Sequence, residues 1–128
     1  MIDYESAETL LMVCLATLVM VGCDSWQPIS FSQEVKPILE LNCIRCHTAG
    51  AEGQKASGFS METYDDLMRG TNYGPMVIAG DSESSNIITL MEGRADPSIS
   101  MPHGEQKAVS KADIEKIRLW IDQGAKNN

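Results

Sequence analysis

Bases are scarce in this chain: Lys and Arg together number 10 against 18 acids in 128 residues, a formal charge of -8 with both histidines neutral. No basic run occurs, and a nucleic-acid surface needs clustered Lys and Arg, so nucleic acid is not an expected partner. Aromatic residues make up only 5% of the chain. At a length fit for one domain, that leaves a modest core in need of some extra staple. No apolar run reaches the roughly 17 residues that a membrane-crossing helix requires. Strand-like and helix-like patterns do not alternate, and no internal repeat or low-complexity tract is present. By contrast Met is frequent, at 8, and there are 4 cysteines.

The longest apolar run, Leu10 to Val21, is 12 residues long. That length suits the h-region of an export signal, usually about 7–15 residues. Met20-Val21-Gly22-Cys23 follows at its end and resembles the lipobox of bacterial lipoproteins, in which the Cys is acylated and becomes the new N-terminus. The resemblance implies a removable segment 1–22 and lipid on Cys23; residues 23–30 read as a short linker, with no periodicity over 24–30. The segment ahead of the run carries three acids and no Lys or Arg, the reverse of an ordinary signal. A buried apolar helix with a core Cys23 is therefore the alternative. Without residues 1–22 the chain would hold 15 acids and 10 bases, net -5. Cys43 and Cys46 would then be its one remaining cysteine pair.

Cys43-Ile44-Arg45-Cys46-His47 is a C-x-x-C-H motif, the attachment pattern of one covalent c-type haem. Two thiols three positions apart near a helix end can add to the two vinyl groups of one haem, and the adjacent His47 can swing under the iron as proximal ligand. Rival readings fit less well. Zinc wants four ligands, and Cys43, Cys46 and His103 supply three. A reactive dithiol needs a βαβ context. A plain disulfide gives no role to the His that follows.

The pattern elsewhere predicts an all-α domain. Ser32 is a candidate cap for a helix with the apolar positions Val35, Ile38, Leu39 and Leu41, and Pro37 moves its start toward Lys36. Residues 48–58 read as an exposed loop. Thr63 with Asp66 opens a short helix over 64–69 that Gly70 stops. Gly74-Pro75 marks a turn, Met76-Val77-Ile78 is a short apolar run, and Asp81 is a candidate cap for a helix bearing Ile87, Ile88, Leu90 and Met91. Residues 93–109 read as a loop. Ser110 with Asp113 opens a final helix to about Gln123, with the stripe Ile114, Ile117, Trp120 and Ile121.

Over roughly residues 31–126 the chain resembles the cytochrome c superfamily, and within it the planctomycete cytochromes c. The likeness rests on Val35-Lys36-Pro37-Ile38-Leu39, the C-x-x-C-H, Gly74-Pro75 through Gly80-Asp81, Ser84-Ser85, Met101-Pro102 and Trp120 to Ala125. It implies a small mono-haem fold with a haem-bearing first helix, short helices, a Met loop and a last helix with a Trp. The second axial position could be filled by Met61, Met68, Met76, Met91, Met101 or His103. Met101 is favoured because it sits in a loop before Pro102, 54 residues after His47, and because the family's distal Met precedes Pro in such a loop. The other methionines read as core filler. His103 reads as an exposed loop residue, with bis-His ligation as the alternative. Pro75 is a candidate carbonyl to orient His47.

The implied function is electron transfer, not enzymatic catalysis, by a lipid-tethered protein on the periplasmic side of a bacterial envelope, exchanging electrons with redox partner proteins. The alternatives are a haem-bearing subunit of a larger respiratory or dehydrogenase assembly, and a haem sensor or enzyme with an open sixth position.

Overall fold

The structure is a computed structural model that describes residues 27–128. The proposed signal 1–22 and Cys23 lie outside the described residues. Among those described, helices carry the fold and no strand forms; Thr71 and Gly74 make one isolated bridge. No helix among them is long and apolar enough to cross a membrane.

The first helical segment opens as a π-helical turn, Phe31–Val35, and continues as α1, Lys36–Asn42. Its cap is Ser30, not the expected Ser32: the Ser30 hydroxyl accepts from the Gln33 N–H. Pro37 falls in the first turn of α1, where a missing N–H costs nothing. Val35, Ile38 and Leu39 face the core, whereas Leu41 is 85% exposed. Leu41 lies off the i, i+3, i+4 row that the other three share.

A second correction concerns residues 48–58. Glu52–Ser57 is a helix, α2. Glu52 in its first turn and Lys55 in its last complement the helix dipole. Gly58 then ends it at φ 77, a left-handed position that suits glycine.

α3, Tyr64–Arg69, starts and stops where expected, with the Thr63 hydroxyl accepting from Asp66 N–H and Gly70 as C-cap. α4 is Asn86–Met91, capped at Ser85 and not at Asp81. The Ser85 hydroxyl accepts from Ile78 N–H at 2.8 Å and donates to the Asp81 carbonyl at 2.7 Å, which folds the preceding turn and delays the helix. α5, Lys111–Asp122, is the longest element and begins with the expected Ser110–Asp113 box.

α5 packs on the π-helical turn and on α4. Its stripe of Ile114, Ile117, Trp120 and Ile121 is buried, and the Trp120 ring stacks at a tilt on Phe31 with centroids 5.4 Å apart. Tyr64 closes the aromatic group edge-on and donates to the Ala125 carbonyl. Residues 27–30 form no helix but are tied to the other end of the domain: Ile29 N–H donates to Gln123 Oε1 at 2.7 Å, and Gln123 Nε2 reaches the Gln27 carbonyl. Met61, Met76 and Met91 are buried in the core, as their reading as filler expects.

Candidate functional site

The end of α1 delivers Cys43, whose backbone (φ -126, ψ -38) leaves the helix. One further turn follows, with Cys46 and His47 N–H both donating to the Cys43 carbonyl at 3.1 and 3.0 Å. The C-x-x-C-H is thus wound as a tight backbone turn at the end of α1. Both cysteines are free thiols, so the disulfide reading is not what this fold adopts. Burial, reinforced by the neighbouring Cys46, pushes the Cys43 thiol up to about 12. That is the reverse of the lowered value of a reactive dithiol. Nor do three side chains among His, Cys, Asp and Glu gather anywhere in the described residues, so His103 does not join the cysteines as a zinc donor set.

His47 is the buried centre of the site, 6% exposed. Its Nδ1 lies 3.1 Å from the Phe59 carbonyl. A carbonyl can only accept, so Nδ1 carries the proton and Nε2 keeps a free lone pair for a metal. Pro75 was the expected orienting carbonyl; Phe59 holds that role, and no pattern in the sequence marks it. The Phe59 ring also meets the imidazole edge-on at 5.4 Å. Backbone bonds secure the segment on both sides, from Gln54 N–H to the Cys46 carbonyl and from Met61 N–H to the His47 carbonyl.

Gly53 is the second residue that sequence reading missed. A Cβ there would sit 2.7 Å from the Cys46 carbonyl oxygen and 3.0 Å from His47 Nε2. α2 can approach the imidazole this closely only because this position has no side chain. Two free thiols, an oriented imidazole and this cradle suit a group held by two sulfurs and one nitrogen.

Met101 is half-buried and His103 exposed, both in the loop after α4. The Met101–Pro102 peptide is cis. Four residues beyond Pro102, Gln106 Nε2 comes within 3.8 Å of Cys46 Sγ, so the methionine loop returns to the thiol pair. Two clefts lie elsewhere, one at Ile29 and Trp120 and the other between Met91, Val109 and Ile114. Neither is lined by Cys43, Cys46, His47 or Met101.

A family model described as Planctomycete cytochrome C matches residues 43–105, from the first thiol to a point within the methionine loop, just past Met101. No curated protein and no solved structure matches the chain.

Proposed function

Since the chain carries a planctomycete-type cytochrome c domain, whose work is haem-based electron transfer, we propose that it is a single-haem electron carrier, tethered to a membrane by lipid on Cys23. A c-type haem supplies a one-electron iron couple. In this reading Cys43 and Cys46 hold the group through thioether bonds and His47 offers Nε2 to the iron. The observation that carries the proposal is the oriented His47: its Nδ1 bond to the Phe59 carbonyl leaves Nε2 as the nitrogen available to a metal, and the absent side chain at Gly53 is consistent with that use.

Met101 is the proposed second ligand. A thioether favours Fe(II), and two permanent protein ligands suit electron transfer without a substrate pocket. The reading assigns no enzymatic activity. The partners are redox proteins, and the proposed location is the periplasmic face of a bacterial envelope.

The test is an optical spectrum with a denaturing gel. Wild type made with haem-attachment machinery should retain haem peroxidase staining, and Cys43→Ala with Cys46→Ala should abolish it. Met101→Ala should remove the weak far-red absorption of thioether-bound ferric iron and lower the potential, while His103→Ala changes little. A stain-negative wild type refutes the carrier, and a high-spin wild type that takes up carbon monoxide favours the open-site sensor or enzyme. Cys23→Ser should move the protein to the soluble periplasmic fraction or block its processing.

A further inference from the structure

Residues 95–109 cross a long stretch with little backbone attachment. Among the described residues, one backbone hydrogen bond joins this stretch to the rest of the fold: Met101 N–H donates to the Leu90 carbonyl at 3.4 Å. Gln106 and the buried Val109 tie the far end of the stretch, while the backbone of Met101 itself is held at the last turn of α4.

That turn is held from α5. Glu92, the C-cap of α4, accepts from Arg118 Nη2 at 2.7 Å and Nε at 3.2 Å, a two-point contact with a planar fork. The guanidinium also reaches Glu83 and the Ser82 hydroxyl, whose turn is pinned to α5 by Asp122. Arg94, at the start of the loop, bonds Glu92 Oε2 at 2.6 Å. The Arg118 and Glu92 side chains are 16% and 25% exposed, so the pair is more sheltered than two fully solvated side chains.

We propose that Arg118 and Glu92 are positioning residues for Met101: they clamp the end of α4 to α5 and so set the Leu90 carbonyl on which the methionine loop hangs. The inference rests on the reading of Met101 as the second iron ligand. Neither residue touches the thiols or His47 in the described contacts. Their effect passes through one helix end and one backbone bond.

The test uses the haem-loaded protein with Arg118→Met, which keeps an apolar stem and leaves Glu92 paired with Arg94, and Glu92→Gln as a second variant. Two readouts separate positioning from general stability. Hydrogen exchange at the Met101 amide reads the bond to Leu90 directly. The affinity of ferric protein for imidazole, which competes with the methionine, reads how firmly the loop is held.

Both variants should raise imidazole affinity roughly tenfold and speed exchange at Met101, with helical circular dichroism unchanged. Arg118→Lys should recover part of the effect, and Arg69→Gln, which breaks the exposed pair with Asp66 on α3, should move neither readout. Wild-type values of both readouts in Arg118→Met and Glu92→Gln overturn the clamp while leaving the carrier intact. If instead Met101→Ala leaves the wild-type spectrum unaltered, the ligand assignment fails and the clamp fails with it. The two failures are distinguished by which protein departs from expectation.

Discussion

Gly53 decides more than its size suggests. In an exposed helix, replacing Gly by Ala gains about 1 kcal/mol from helix propensity. Here the added Cβ would stand 2.7 Å from the Cys46 carbonyl oxygen, a backbone atom that cannot swing away. Gly53→Ala should therefore destabilise the fold by roughly 1–3 kcal/mol, as overpacking does, and displace the His47 ring. A urea titration checks the sign, and the spectrum of the haem-loaded variant checks the ligation. A gain in stability with an unchanged spectrum would show that α2 can retreat from the imidazole. The role of Phe59 was equally hidden, because a backbone carbonyl has no residue type of its own. Cys43, Cys46 and His47 stand out as candidates in the sequence because their chemistry is in their side chains and their spacing is local, and Met101 because it precedes Pro102 in a loop.

Elements that carry an apolar stripe or a Ser/Thr–Asp box were legible, whereas α2, which has neither, was not. Thr63–Asp66 and Ser110–Asp113 are reciprocal boxes in both the sequence and the fold. Ser110→Ala should cost about 1 kcal/mol and fray the first turn of α5, measured as a lowered urea midpoint with faster amide exchange at Asp113. Thr63→Ala should cost a similar amount at α3. An unaltered midpoint in Ser110→Ala would mean that packing of Ile114 and Ile117 alone sets the helix start. α2 escaped sequence reading because its six residues bury no side chain and show no apolar stripe. Its helical form depends on the backbone bond from Gln54 to Cys46, which is a tertiary contact. The cap of α4 shifted from Asp81 to Ser85 for the same kind of reason, since the Ser85 hydroxyl folds back on Ile78 and Asp81.

At the scale of the molecule, two features hold the domain together and each makes a prediction. Trp120 is 1% exposed, stacks on Phe31 and donates its indole N–H to the Lys126 carbonyl at 2.9 Å. Trp120→Ala should cost about 3–5 kcal/mol, read by thermal unfolding of the haem-loaded protein. The second feature is the ion network between α4 and α5. Hydrogen bonds from Arg118, then from Arg94, hold the Glu92 carboxyl below its ordinary value of 4.5, and the Thr63 hydroxyl does the same for Asp66. A carboxyl whose folded value is depressed stabilises above the unfolded value and loses that contribution as pH falls through the folded one. Stability should thus decline from about pH 4.5 downward, and Glu92→Gln should flatten that decline. Equal acid sensitivity in the variant would assign the loss to other carboxylates. The sequence by itself determined the helical class, the C-x-x-C-H turn at the end of α1, the methionine loop and the stripe of the last helix, because periodicity, capping and C-x-x-C-H spacing are properties of neighbours along the chain. Only the tertiary structure decided that Phe59 orients His47, that Gly53 lets α2 pack against it, and that Arg118 reaches Glu92. Those pairs are brought together by packing between elements, and separation in sequence carries no record of it.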